Sequence, residues 1–145
     1  MEPKLVIGNR VYDNRGSLRF SNDLDFKKIK RFYTVHNYNI NFIRAWHGHL
    51  NEEKYIGCIK GTFQISVVKL DNIRKPSKKN KVFNFFLNES DSNFVHIPKG
   101  YANGSMSLEE NSELLIFSTS SLKESLKDDY RFESKYWNPW NIEFR

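Results

Sequence analysis

Two histidines one residue apart, His47-Gly48-His49, are followed by Lys54 and then Gly61, in the spacing H-x-H-x4-K-x6-G. Imidazole titrates near neutrality, so either histidine can take a proton from carbon or oxygen at physiological pH. A protonated lysine offers three hydrogen-bond donors and no lone pair, and it repels a divalent cation. The group therefore suits a base working beside fixed positive charge on an anionic or enolate-forming substrate. It does not suit a metal centre, and neither metal nor cofactor is expected. On an extended strand, residues two apart share a face. If that face lines an interior, both imidazoles enter one cavity; otherwise they are polar side chains on a wet surface. Arg44 before the pair and Lys54 after it favour the cavity.

A second segment, Pro98-Lys99-Gly100-Tyr101-Ala102-Asn103, puts a tight turn ahead of a carboxamide that can contact substrate. Arg15, in Asp13-Asn14-Arg15-Gly16, and Arg44 are candidate diphosphate ligands, because guanidinium binds phosphate oxygens in a bidentate fork. Each also reads as an ordinary surface arginine.

The elements that must position these groups are short strands. Apolar runs separated by turn residues cover 4–8, 10–12, 18–20, 30–36, 42–49, 55–60, 62–70, 82–87, 94–97, 106–108 and 113–118. In the run over 62–70, Phe63, Ile65, Val67 and Lys69 share one face, while Gln64, Ser66 and Val68 share the other. Such a series argues for an all-β sandwich or closed barrel rather than alternating βα units. Residues 121–127 read as a short helix or an irregular arm. The aromatic tail from Tyr136 to Phe144 should pack back on the body. Trp137 and Trp140 would either cover the barrel's end or offer a stacking surface to a nucleobase.

The 145 residues provide for one domain with its own core, and the 15% aromatic content excludes a disordered chain. The net charge of +6 is compatible with a phosphate-bearing small molecule. Its densest basic stretch, Arg74 to Lys81, has the Pro, Ser and Asn content of a solvated hairpin loop, and no nucleic-acid reader motif accompanies it. Cys58 is the single cysteine and sits in an apolar run, as a buried, unreactive thiol of a reducing compartment would. No apolar run approaches the ~18 residues that span a bilayer. A cytoplasmic protein without nucleic-acid or membrane partners is expected.

Taken together, Asp13-Asn14-Arg15-Gly16, Arg44-Ala45-Trp46-His47, Lys54, Gly61, Ile97-Pro98-Lys99-Gly100-Tyr101-Ala102-Asn103-Gly104 and the tryptophan-rich tail resemble the dTDP-4-dehydrorhamnose 3,5-epimerase family. That family reads R-G-L-H, then a lysine seven before a glycine, then I-P-x-G-F-A-H-G. The chain is secondarily similar to the cupin-type dTDP-sugar 3,4-ketoisomerases, which carry an H-x-H pair and a tyrosine after an I-K-R-x segment, as in Ile29-Lys30-Arg31-Phe32-Tyr33. Metal-binding cupins place a glutamate where Lys54 stands and a histidine where Asn103 stands.

The resemblance implies a cupin-type barrel (a double-stranded β-helix, or jelly roll) over 1–145 with a short C-terminal helical or irregular arm. It implies a homodimer acting on a nucleotide-diphosphate sugar. The activity implied is metal-independent epimerisation of a 4-keto-6-deoxy sugar at C3, C5 or both, through an enolate, for surface-polysaccharide sugars. His47 would be the base, Lys54 the partner of the enolate oxygen, Arg44 and Asn103 substrate contacts, and Arg15 a diphosphate ligand, supplied across the dimer in one arrangement. The ketoisomerase alternative has His49 shuttle a proton between C3 and C4, with Tyr33 or His47 assisting. A barrel that binds a sugar nucleotide without turning it over is the third reading. The epimerase pattern is departed from at its tyrosine, which aligns with Ile116 or Phe117, and at its W-N-D-P aspartate, where this chain reads Trp137-Asn138-Pro139-Trp140.

Overall fold

The computed structural model describes residues 1–140. The elements are β1 (Lys4–Val6), β2 (Asn9–Asp13), β3 (Gly16–Phe20), β4 (Arg31–Asn37), β5 (Ile43–His49), β6 (Lys54–Lys60), β7 (Thr62–Lys69), β8 (Val82–Asn88), β9 (Phe94–Ile97), β10 (Tyr101–Ser107), β11 (Ser112–Ser118), α1 (Leu122–Leu126) and β12 (Tyr130–Arg131). One antiparallel sheet runs β1-β9-β6-β11-β4 and a second runs β12-β5-β10-β7-β8; β2 and β3 form a separate hairpin. The two large sheets enclose the core of an all-β, cupin-type barrel, the architecture expected from the strand pattern. Among the described residues no helix is long and apolar enough to cross a membrane.

Alternation along β7 places Phe63, Ile65 and Val67 in the barrel interior, with Ile56, Leu87, Val95 and Leu114. The opposite face of β7 is buried as well, because the C-terminal segment covers it. Trp46, Val68, Ala102, Met106, Trp137 and Trp140 form a second apolar layer on the outside of the β5-β10-β7 sheet. The Trp46 ring centroid lies 5.3 Å from that of Trp137 and 5.2 Å from that of Trp140. Trp46 Nε1 donates to the Ser134 and Trp137 carbonyls, both at 3.1 Å, so the buried indole has its polar atom satisfied. The tail is tied in turn to the basic loop after β7: Trp137 Nε1 donates to the Ser77 carbonyl and Tyr136 Oη to the Pro76 carbonyl. Neither tryptophan covers a barrel end or faces the histidines; both shield a sheet face. Residues 141–145, part of the same tail, lie outside the described residues.

One strand expectation needs correction. The strand expected over 106–108 begins at Tyr101, directly after the turn at Gly100, whose φ is 82°. It is a central strand, paired with β5 on one side and β7 on the other, and buried throughout. Its small, polar composition conceals it because side chains there must fit under Ala45 and Trp140. The ladder between β10 and β5 also shifts register: Asn103 pairs with His47, but Ser105 pairs with Arg44. The extra residue on β5 is a bulge, and it turns Arg44 to the same side as His47 although the two are an odd number of residues apart.

Residues 121–127 resolve into α1, started by a capping box in which Ser121 Oγ accepts from the Glu124 N–H while Glu124 Oε1 accepts from the Ser121 N–H. Glu124 also pairs with Lys30 at 2.8 Å, docking the arm against the start of β4.

Candidate active site

Between the two sheets lies a cavity of about 280 Å³. One wall comes from β5 and β10 and presents Arg44, His47, His49, Asn103 and Ser105. The facing wall comes from β4, β6 and β11. It presents Tyr33 and Lys54 among the hydrocarbon of Val35, Ile56, Leu114 and Ile116. Residues at and after α1, including Asp129 and Arg131, complete the rim. Six of the seven residues singled out from the sequence thus converge on one cavity.

Arg15 does not. It sits at the turn of the β2–β3 hairpin, largely exposed, with Nη2 2.6 Å from Asp13 Oδ2. The hairpin forms its own sheet, and the guanidinium is satisfied locally, so within one chain Arg15 contributes nothing to the histidine cavity.

The two imidazoles reach the cavity because Gly48 lets the strand run close to its neighbours. A Cβ at position 48 would stand 2.8 Å from Leu70 Cδ1 and 3.2 Å from the Tyr130 carbonyl oxygen. β12 pairs with β5 at this point, setting Tyr130 against Gly48 and Arg131 against His47.

His49 is the deeper ring, 6% exposed. Its Nδ1 lies 2.5 Å from the Asp128 carbonyl oxygen. That oxygen can only accept, so Nδ1 carries the hydrogen and Nε2 keeps a free lone pair. Nε2 is buried without a hydrogen-bond partner among the described residues. Asp128 is itself fixed: its carboxylate accepts from the backbone N–H groups of Leu50, Asn51 and Glu52, at 2.7, 2.9 and 3.0 Å. One residue therefore sets both the tautomer of His49 and the turn that follows it.

Both histidines are held neutral. Burial lowers the His47 pKa from 6.5 to about 4; Lys54 and Arg131 add to the effect, and Asp129 opposes it. His49 is also lowered, first by burial and then by Lys54, against the opposing hydrogen bond to Asp128. Two uncharged imidazoles near an ammonium are bases rather than acids.

Arg44 is braced by Asn37 Oδ1 at 2.7 Å and by the His36 carbonyl. Asn103 donates from Nδ2 to the His47 carbonyl at 3.2 Å, which leaves its amide oxygen available. Tyr33 lies under the Arg31 guanidinium, and Lys54 Nζ is 6.0 Å from the Tyr33 ring centroid. Ile116 faces the cavity, whereas Phe117 points to the outside, against Phe26 and Phe94. The aligned tyrosine position is therefore hydrocarbon here.

Sequence reasoning missed Asp128, Asp129, Arg131 and Glu52. Asp128-Asp129-Tyr130-Arg131 reads as a solvated run, and no local spacing links it to a strand some 80 residues earlier.

No curated protein sequence matches the chain. Solved structures share its fold. The dTDP-4-dehydrorhamnose 3,5-epimerase of Bacillus anthracis, solved with TDP and pyrophosphate bound, is 17% identical with a TM-score of 0.74, covering 98% of this chain and 86% of that one. The WlaRB TDP-quinovose 3,4-ketoisomerase of Campylobacter jejuni is 22% identical with a TM-score of 0.68, covering 92% and 95%. A 3,4-ketoisomerase of Helicobacter canadensis is 20% identical with a TM-score of 0.71, covering 98% and 99%. The profile of the family described as WxcM-like, C-terminal, matches residues 1–138, and the chain belongs to that family.

Proposed function

We propose that the protein is a metal-independent isomerase of a nucleotide-linked 4-keto-6-deoxy sugar, and that its reaction is 3,4-ketoisomerisation. The fold neighbours act on sugars of this kind by their names, and several were solved with TDP. The carrying observation is the single wall that holds both neutral imidazoles, with His49 Nε2 freed as a base by the Asp128 carbonyl.

Moving a carbonyl from C4 to C3 needs a proton taken from C3 and returned to C4, which one base on one face of the ring can do. His49 Nε2 removes the C3 proton. The electron pair forms the C3–C4 double bond, and the C4 oxygen becomes an enediolate oxygen that meets the Lys54 ammonium. His47 or Tyr33 passes the O3 proton to O4 as the carbonyl forms at C3, and His49 returns its proton to C4. Atoms and electrons balance without a redox partner. Arg44 and Arg131, both lining the cavity, would hold the diphosphate through their guanidinium groups.

Epimerisation at C3 is the second reading, favoured by one observation. Tyr33 pairs directly with Ile116 across β4 and β11, which sets a phenol on the wall opposite the histidines, one strand from the aligned tyrosine position. The sequence resemblance leaned this way; the one-sided pair of bases favours ketoisomerisation.

The test is proton NMR in deuterated water with TDP-4-keto-6-deoxyglucose. Ketoisomerisation gives a 3-keto sugar whose C4 hydrogen is carried over from C3, and His49→Ala abolishes it. Deuterium at C3 with the carbonyl still at C4 would replace that reading with epimerisation. Saturable TDP binding with the sugar unchanged and free of deuterium would leave a binding protein.

A further inference from the structure

Glu52 is a buried carboxylate with no part in the reaction as written. It lies on the turn between β5 and β6, is 2% exposed, and neither of its oxygens has a hydrogen-bond donor among the described residues. Its backbone N–H is taken by Asp128, so its position is set. The cation it meets is Lys54, with Nζ 3.8 Å from Oε2. That distance is within strong Coulomb range and beyond a hydrogen bond.

Such a pair is a poor stabilising device. A buried carboxylate without hydrogen bonds is unfavourable, and hydrocarbon of similar volume often does as well or better in its place. Its geometry does suit a site in which the ammonium must be held while its donors stay unspent. The other charged and titratable groups around Lys54 are His47 and His49 on β5, Tyr33 on β4, Arg44 across the cavity, and Asp129 and Arg131 at the rim. Of the other carboxylates nearby, Asp129 is drawn off by Arg131, with Nε 3.0 Å from Oδ2, and Asp128 is held by three backbone N–H groups. Glu52 alone approaches Lys54 from behind the cavity wall.

Resting on the isomerase reading, we infer that Glu52 is a positioning residue for Lys54. Its charge draws the ammonium to the wall of the cavity without consuming a hydrogen-bond donor. All three N–H groups then remain for the enediolate oxygen, and the lysine does not wander toward the diphosphate of the bound substrate. The interaction strengthens transition-state binding through Lys54 rather than substrate binding.

The experiment uses the full chain with lysine ε-carbons labelled, the Lys54 signal being assigned by its loss in Lys54→Met. Carbon relaxation of that ε-methylene is measured without ligand in the native protein, Glu52→Gln and Glu52→Asp. Turnover of TDP-4-keto-6-deoxyglucose and affinity for TDP are measured alongside. Glu52→Gln should loosen Lys54 to the mobility of a surface lysine and lower kcat about 10- to 100-fold, with KM and TDP affinity within about twofold. Glu52→Asp should restore order to Lys54 and return kcat to within about threefold of native. A Lys54 as ordered in Glu52→Gln as in the native chain would overturn the inference, as would a loss carried by KM alone. If Glu52→Gln fails to fold, Glu52→Asp decides: a mobile Lys54 despite the retained carboxylate overturns it, and an ordered one supports it. An ordering effect with no turnover of the sugar would leave the hold on Lys54 standing and remove the isomerase reading instead.

Discussion

Acidification should destabilise the protein through His47 in a way that can be isolated. In the folded chain its pKa is about 4, against 6.5 for a free imidazole. The pKa is depressed on folding, so between those values the unfolded chain binds a proton that the folded chain refuses. Stability is therefore complete above pH ~6.5 and is lost as pH falls toward ~4. At pH ~5 the linkage amounts to about 2 kcal/mol, and the part of the ring that reaches solvent brings it to about 1 kcal/mol. The assay is urea unfolding of the native protein and His47→Gln at pH ~7.5 and ~5. His49 shifts in the same direction but is present in both proteins, so it cancels to first order. The native protein should lose about 1–2 kcal/mol more than the variant on acidification. Equal losses would refute the claim that folding forces His47 to be neutral, and with it the argument that this imidazole enters the cavity as a base.

Asp128→Ala strips the acceptor from three backbone N–H groups and should lower stability by about 2–3 kcal/mol in urea unfolding, together with turnover. An unchanged urea midpoint would show that the carboxylate does not hold the turn. Gly104→Ala puts a methyl 2.6 Å from Ala45 Cβ and 3.0 Å from the Trp140 ring. It should cost about 1–3 kcal/mol and shift the tryptophan fluorescence; a neutral result would mean that the tail packs loosely. Cys58, whose thiol burial pushes up to about 12, should be silent to an aromatic disulfide reagent in the folded protein and react once in urea. Rapid reaction of the native protein would contradict its burial.

The histidine pair was legible because period-two alternation is a property of any strand, and Lys54 was legible from its spacing after the pair. Arg44 was legible only as a residue type. Plain alternation sends it away from His47, and the bulge that returns it depends on pairing with β10, which no stretch of β5 encodes by itself. β10 was half missed because strand signals come from large β-branched and aromatic side chains, while Ala102 and Gly104 are kept small by the tryptophans outside them and Asn103 and Ser105 face the cavity. Asp128 and Glu52 were invisible for a different reason: a buried carboxylate and a solvated one look alike in a sequence. The tail's aromatic content foretold that it would pack, but its docking surface is set by the other faces of β5, β7 and β10.

The fastening of His49 to Asp128 also has a bearing on how the chain is made. The two residues are separated by some 80 positions, so at common translation rates the imidazole emerges roughly 4–16 s before the carbonyl that fixes its hydrogen. Until then β5 also lacks β12 along its open edge and the indoles that cover its back. The interior that β6, β7, β8 and β9 begin is completed only when Tyr101, Leu114 and Ile116 join it, and the imidazoles are fixed later still.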